Sequence, residues 1–519
     1  MTEKINILWV DDEIELLKPH IMFLEKKSYA VSTANNGNDA LDMIANHVYD
    51  IIFLDEQMPG LSGIETLERI KKYSPFIPVV MITKSEEERI MEEAIGSQIA
   101  DYLIKPVNPS QILLSLKKNL ENKKLISEKT TQLYQQSFGK LSMEIGNNPD
   151  YVELVDIYKR LVRWEISLQQ TEDDGINEIL KMQKEEANTV FAKYLERHYE
   201  DWINNRDDDK PVFSHTLFRE KLFPVLKGNK PVFLLLIDNL RYDQWKFIQP
   251  LIQEKFSVAT DDIFFSILPT TTQYSRNAMF AGLMPLEIQR KYPQWWLNEN
   301  DEGGKNQFEK ELLAENLKRY GYDSKFSYHK VLNLSYGKKL VENLPNLMHN
   351  PLNVIVYNFI DMLSHARTEM EIIKELADDE KAYRSLTLSW FEHSQLYEIF
   401  EFLSEKDVEV IITTDHGSVR VDNPVKVVGD KFTNTNLRYK TGKTLSYNPK
   451  DVYALTDPYK VYLPKENVSS RFIFSKKNDF FVYPNNMNYY TNYYKNTFQH
   501  GGISMEEVLI PYIHLKPKG

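Results

Sequence analysis

From the N-terminus to about residue 120, short runs of continuous apolar residues alternate with segments whose apolar residues recur every three or four positions. INILWV, YAVSTA, DIIFLD, IPVVMIT and ADYLIKP are the first kind; ELLKPHIMFLEKK, NDALDMIANH, IETLERIKKY, ERIMEEAIG and QILLSLKKNLE are the second. Strands apolar throughout, separated by amphipathic helices, bury both faces, which predicts a doubly wound α/β domain on a parallel sheet. From 121 to 205 the strand signal vanishes. Leu154, Tyr158, Leu161, Trp164 and Leu168 form one helical stripe, and Ile176, Ile179, Leu180, Ala187, Val190, Phe191 and Tyr194 another, with a break at Asp173, Asp174 and Gly175. This pattern predicts a helical-bundle connector. From 206 to 519 the α/β pattern returns: PVFLLLIDNL, LNVIVYNFID and VEVIITTDHG read as buried strands that each end in an acidic residue. In open parallel sheets, ligands bind beyond the carboxyl ends of strands, so Asp238, Asp361 and Asp415 are expected at one edge. The segment from about 420 onward, rich in Asn, Tyr and Pro, reads as irregular structure and short strands that return to that edge through His500.

A chain of 519 residues, 42% hydrophobic and 12% aromatic, is long enough for two to four folded domains. The formal net charge of -12, without a basic tract, disfavours nucleic acid as a held partner. Nucleic acid as a substrate stays open, because metal ions supply positive charge locally. The opening MTEKINILWVDDE lacks the apolar core of a secretory signal, and no apolar run suffices for a membrane span, so a cytoplasmic location is expected. With no cysteine, any metal must be held by His, carboxylate or hydroxyl groups.

In the first domain, Asp11 and Asp12 follow the first predicted strand, Asp55 ends the third, Thr83 the fourth, and Lys105 follows the fifth. Clustered carboxylates repel unless a divalent cation lies among them, and oxygen-only donors suit Mg²⁺. Such a cluster beside a lysine suits phosphoryl transfer. The spacing of VDDE, LDEQMPG, MIT and DYLIKP resembles the CheY-like receiver domain of response regulators. That resemblance implies that Asp55 is the phosphoacceptor, that Asp11, Asp12 and Asp55 hold Mg²⁺, that Thr83 and Tyr102 switch on phosphorylation, that Lys105 contacts the phosphoryl group, and that the bond before Pro106 is cis.

The last domain offers Asp238 in LIDNLR, Thr272 in PTTTQYSR, Asp361 and His365 in DMLSH, Asp415 and His416 in TTDHG, and His500 in QHGG. Three carboxylates, three imidazoles and a hydroxyl near strand ends suit a catalytic zinc pair better than a closed structural site. A hydroxyl bound to such an ion loses its proton easily, which is how a threonine becomes a nucleophile. The order of these residues is similar to the alkaline phosphatase superfamily, and DNLRYDQW resembles its PglZ branch. The stretch PTTTQYSRNAMFAGLMP resembles a frame of the phosphodiesterase group that selects Thr272 over Thr270 and Thr271; Gln273 and Tyr274 depart from that group. The resemblance implies that Asp361, His365 and His500 hold one Zn²⁺, and Asp238, Asp415, His416 and Thr272 a second. Arg241 and Arg276 suit either a phosphate oxygen or a local ion pair.

A receiver, a helical connector and a PglZ domain in this order resemble the PorX-type response regulators. That resemblance implies a partner sensor histidine kinase, a homodimer favoured by phosphorylation, control of type IX secretion and gliding, and zinc-dependent hydrolysis of oligonucleotide-like phosphodiesters. A second reading keeps the fold and the zinc but drops turnover, leaving a metal-stabilised scaffold for a sigma factor or secretion-system component. A hydroxyl on the metal, as Thr272 supplies, favours catalysis over that scaffold. Sulfatase chemistry, which needs a Cys or Ser converted to formylglycine, is disfavoured by Thr at the nucleophile.

Overall fold

A computed structural model of the chain describes residues 5–47, 49–74, 77–83, 99–169, 174–299, 301–322, 325–370, 377 and 379–518. The chain forms two compact units, residues 1–133 and 134–519.

In the first unit, a five-stranded sheet runs in the order Ala30–Ala34, Asn6–Val10, Ile51–Asp55, Val79–Thr83, Asp101–Ile104, with every neighbouring pair parallel. Side chains alternate between faces along each strand, so the apolar runs divide into two cores. Ile7, Trp9, Ile51, Phe53, Val80 and Ile82 face one side with Leu24, Ile112 and Leu116 from the helices Ile14–Lys26 and Pro109–Leu116. Leu8, Val10, Ile52, Leu54, Val79 and Met81 face the other with Leu67 and Ile70 from Gly63–Tyr73. Reciprocal capping boxes, Ser62 with Glu65 and Asn108 with Gln111, set two of the helix starts. The helix predicted over ERIMEEAIG lies outside the described residues.

The second unit is built on a six-stranded sheet in the order Phe256–Phe265, Leu509–Pro517, Glu409–Thr413, Val232–Ile237, Leu352–Tyr357, Phe326–Val331. The last four strands of that order are parallel to one another, while Leu509–Pro517 is antiparallel to both of its neighbours. Val232–Ile237 and Leu352–Tyr357 are buried along their whole length, as expected for parallel strands covered on both faces.

The helices Tyr151–Leu168 and Asp174–Ile203 give their apolar stripes to the same core as this sheet. Trp202 stands among Tyr151, Phe213 and Phe265 with ring centroids 5.8–6.1 Å apart. Burying a large side chain of this kind contributes about 1.5–3 kcal/mol, so the two helices gain much of their stability from the sheet. The second predicted stripe is slightly out of phase: Ile176, Leu180, Ala187 and Phe191 are buried, whereas Ile179 is 41% exposed. Of the predicted break, Asp173 lies outside the described residues and the second helix begins at Asp174. Among the described residues, no helix is long and apolar enough to cross a membrane.

Candidate active site

Two clusters of chemistry-bearing residues form at strand ends, one in each unit. In the first, Lys105 Nζ lies 2.9 Å from Asp11 Oδ2 and 3.0 Å from Asp55 Oδ1. Asp11, Asp12 and Asp55 each offer an oxygen within 4.8 Å of the others. Burial raises the Asp55 carboxyl, offset in part by Lys105 and reinforced by the charge of Asp11. Asp55 Oδ2 is buried without a hydrogen-bond partner, an open lone pair beside two further carboxylates, and this donor set fits an oxygen-seeking cation. The loop after Asp55 returns so closely that a Cβ on Gly63 would stand 2.4 Å from the Asp55 carbonyl oxygen, which is why glycine is needed there. Thr83 ends its strand and is buried, Tyr102 is half-buried against the sheet core, and the Lys105–Pro106 bond is cis.

In the second unit, Asp238 follows Val232–Ile237 directly, and Asp415 and His416 follow Glu409–Thr413 after one residue. Asp361 does not end its strand as the sequence pattern predicts. Leu352–Tyr357 stops four residues before Asp361, and the helix Phe359–Glu369 carries Asp361 in its first turn with His365 one turn later. Asp361, His416 and His500 place one donor atom each within 4.8 Å, and so do Asp238, Asp415 and His416, so His416 belongs to both groups. His500 Nε2 lies 3.6 Å from Asp361 Oδ1, and His416 Nε2 lies 3.7 Å from both Asp238 Oδ1 and Asp415 Oδ2. The His416 and His500 rings stack at 4.2 Å. His365 stands at the rim, its side chain 62% exposed and its Nε2 3.5 Å from Asp361 Oδ2.

The three threonines of PTTT have different surroundings. Thr270 is buried, its hydroxyl donating to the Gly502 carbonyl (2.9 Å) and accepting from the Gly501 N–H (3.0 Å). The Thr271 hydroxyl is buried without a partner. Thr272 Oγ1 lies 3.2 Å from His416 Nε2, the imidazole common to both donor groups.

Arg276, fully buried, reaches Asp238 through Nη2, Asp415 Oδ2 through Nε at 3.0 Å and Glu309 through Nη1 at 3.4 Å. It is therefore an ion-pair residue of the cluster. Burial raises the Asp238 carboxyl well above the usual range despite this partner. For Asp415 burial pulls in the same direction, but the Arg276 guanidinium and His416 overcome it and hold the carboxyl low. Burial, and then His416, push His500 down to about 3, which keeps its imidazole neutral. Asp238 Oδ1 and Asp361 Oδ1 are buried without hydrogen-bond partners. Orphaned carboxylate oxygens beside imidazole nitrogens are costly unless a cation completes them, so these residues fit a bound metal.

Two supports of this cluster escape a reading of the sequence. Arg438 clasps Glu507, donating from Nε (3.0 Å) and Nη2 (2.6 Å), while Glu507 Oε1 accepts from the Gly502 N–H at 2.8 Å, fixing the turn that follows His500. The capping box of Ser504 and Glu507, an S-x-x-E pattern, was the available signal. Gly417 meets this turn so closely that a Cβ would fall 2.0 Å from the Glu506 carbonyl oxygen. The second support is a buried charge network: Arg241 pairs with Asp243 and Glu380, and Arg384 Nη1 donates to Asp243 Oδ2 (2.9 Å) and Glu165 Oε1 (2.7 Å). It ties the segment after Asp238 to the helix Tyr151–Leu168. Both arginines considered for phosphate contact, Arg241 and Arg276, thus close ion pairs.

Comparison with known proteins finds three family matches along the chain. Residues 7–117 match the response regulator receiver domain, 124–203 the PorX response regulator linker domain, and 217–515 the BREX system PglZ alkaline phosphatase-like domain. Similar curated proteins include the transcriptional regulatory protein ZraR of Klebsiella oxytoca, 34% identical over 147 residues (28% of this chain and 32% of that protein). Another is the transcriptional regulatory protein ResD of Bacillus subtilis (strain 168), 34% identical over 116 residues (22% of this chain and 48% of that protein). The matched region thus spans 32% to 48% of the length of these relatives. Among solved structures, the Vibrio cholerae chemotaxis protein CheY4 is 30% identical and covers 22% of this chain and 99% of its own, with a TM-score of 0.21. A CheY-like receiver domain protein from Methanospirillum hungatei JF-1 is 29% identical and covers 23% of this chain and 96% of its own, with a TM-score of 0.22. Receiver and alkaline phosphatase-like domains both generally bind metals, and receiver domains are phosphorylated by kinases. The chain belongs to the PglZ family and is a PorX-type response regulator, a receiver domain joined through the PorX linker to an alkaline phosphatase-like domain.

Proposed function

We propose that the chain is a phosphorylation-controlled, zinc-dependent phosphodiesterase acting on oligonucleotide-like substrates, with a receiver at 1–120, a connector at 121–205 and the hydrolase at 206–519. The observation that carries this reading is the position of Thr272 Oγ1, 3.2 Å from His416 Nε2, where His416 is shared by both donor groups.

In this reading Asp361, His365 and His500 would hold one zinc, and Asp238, Asp415, His416 and Thr272 the other. Bound zinc supplies Lewis-acid charge and lowers the pKa of the hydroxyl it holds. Thr272 Oγ1, having given up its proton, forms a bond to phosphorus as the P–O bond opposite it breaks, and the leaving oxygen takes up a proton to depart as the alcohol. Water then attacks phosphorus, the Thr272–phosphorus bond breaks, the threonine regains its proton and the phosphomonoester is released. Arg276 keeps Asp238 and Asp415 oriented and neutralises part of their charge through the contacts described above. Thr270 holds the Gly501–Gly502 turn and so positions His500.

Asp55 takes a phosphoryl group from a sensor histidine kinase, with Mg²⁺ on Asp11, Asp12 and Asp55 and charge balanced by Lys105; Thr83 and Tyr102 rearrange and favour a homodimer. The protein acts in the cytoplasm in control of type IX secretion and gliding.

The test is hydrolysis of bis-p-nitrophenyl phosphate by wild type, Thr272→Ala and Thr272→Ser. Turnover by wild type, retention in the serine variant and loss in the alanine variant is the expected result. Folded, zinc-loaded wild type without turnover on this or any oligonucleotide would leave a metal-stabilised scaffold for a sigma factor or secretion component.

A further inference from the structure

The chain leaving His416 and the chain arriving at His500 lie side by side: Val419 pairs with Gln499 and Arg420 with Phe498 in a short antiparallel ribbon. Val419 and Val421, together with Phe480 and Val482, form a small core against which Met487 and Tyr494 pack. This core seats the helix Met487–Tyr494, whose sequence is MNYYTNYY. Its outer side is aromatic, with Tyr489 64% and Tyr490 39% exposed. Tyr489 stacks on Tyr493 with centroids 6.1 Å apart at 15°, and Tyr490 on Tyr494 at 6.2 Å and 13°. Residues four apart lie on one helix face, so the helix carries two columns of near-parallel rings. Exposed clustered aromatic surface of this kind marks a binding surface.

The two chain segments that build this part of the fold are basic in composition, opposite in sign to the chain as a whole. In a chain of net charge -12, segments 419–443 and 476–500 together carry nine Lys and Arg against three Asp and Glu; Arg438 and Lys440 are buried and Lys476 pairs with Glu196, which leaves six against the three. Lys426, Lys431, Lys443 and Lys495 are exposed. The strand Asn423–Lys426 pairs with Asp479–Val482, which brings together two segments that both carry exposed lysines. Tyr494 is six residues from His500, a separation of at most about 20 Å even if the chain were fully extended.

We infer that the helix Met487–Tyr494 is a base-stacking platform that holds the unpaired bases of a single-stranded oligonucleotide running to the Thr272 site. The inference rests on the diesterase reading above. Aromatic rings stack on any base, and basic side chains track the backbone, which gives binding tolerant of sequence and sensitive to salt. A duplex hides its base faces within its own stack, so the platform selects single strands.

The test is fluorescence anisotropy of a fluorescein-labelled dT12 strand, and of a matched strand of abasic sites, on the full chain carrying Thr272→Ala to prevent turnover. Stacking predicts that Tyr489→Ala/Tyr490→Ala weakens dT12 binding by about 5- to 100-fold. Tyr489→Phe/Tyr490→Phe keeps the rings and keeps the affinity, which separates lost stacking from a misfolded helix. The abasic strand should bind weakly and equally to all three proteins. Equal dT12 affinity in the alanine and parent proteins, equal binding of abasic and dT12 strands, or preference for a duplex would each overturn the platform. Wild-type hydrolysis of bis-p-nitrophenyl phosphate is read separately and decides the diesterase reading, so the two failures are distinguishable.

Discussion

Arg384 offers a way to weigh the charged contact between the connector helices and the hydrolase sheet. Its side chain is 2% exposed and its guanidinium serves Asp243, Glu165 and Gln169 at 2.7–3.1 Å. Arg384→Met retains most of the volume and removes the charge. Breaking a buried pair costs about 3–5 kcal/mol, because the carboxylates left behind are uncompensated. Here Lys184 still lies 2.6 Å from Glu165 and Arg241 still pairs with Asp243, so the lower end, about 3 kcal/mol, is expected. Six of the seven tryptophans, all but Trp9, fall in residues 134–519, so their fluorescence reports this unit rather than the receiver. With a slope of about 3 kcal/mol per molar urea, the tryptophan-detected midpoint should fall by about 1 M. Glu165→Gln combined with Arg384→Met should cost less than the sum of the single changes, since the pair is then removed together. A midpoint shift under about 0.2 M, or strict additivity in the double variant, would refute the reasoning, because partners this close must couple.

Other consequences are more compact. Thr270→Val removes the hydroxyl that fixes the Gly501–Gly502 turn and should lower zinc affinity by about 10- to 100-fold in a chelator competition. Thr271→Val, which removes a buried hydroxyl with no partner, should leave zinc affinity unchanged and the thermal midpoint equal or higher. Although burial alone would raise it, Glu165 is held down at about 2 by Lys184 and Arg384, against an ordinary value of 4.5. Its contribution to stability is therefore complete above about pH 4.5 and lost as the pH falls towards 2. The urea midpoint of wild type should drop more steeply below pH 4.5 than that of Glu165→Gln. Acetyl phosphate with Mg²⁺ should shift wild type towards dimer in light scattering and leave Asp55→Asn unchanged; equal dimerisation of the two proteins would remove Asp55 from the switch.

The strands were legible because parallel strands covered on both faces are apolar without interruption, as in IIFLD and VFLLLI. Asp11, Asp55, Asp238 and Asp415 stood out in the sequence because each is a metal-suited donor at or just after the end of an apolar run. Asp361 was misplaced by a few residues, since an apolar run that passes from strand into helix, VIVYNFID, shows no break in composition. Ile179 was assigned to a buried stripe because two adjacent isoleucine and leucine positions fit the same period, and only packing distinguishes them. The Arg384–Glu165 and Arg438–Glu507 pairs join residues 219 and 69 positions apart, and separations of that length leave no periodic trace. The meeting of the two lysine-bearing segments beside the tyrosine helix escaped notice for the same reason, since they come together only when Asn423–Lys426 pairs with Asp479–Val482.

The most direct measurement is zinc content by elemental analysis, taken alongside the rate of diester hydrolysis while a chelator strips the full-length protein. The expected result is about two zinc ions per chain at the outset, rate and zinc falling together, and recovery of both when zinc is returned. Hydrolysis that persists in zinc-free protein, or purified wild type that binds no metal at Asp238, Asp361, Asp415, His416 and His500, would contradict a metal-dependent threonine hydrolase.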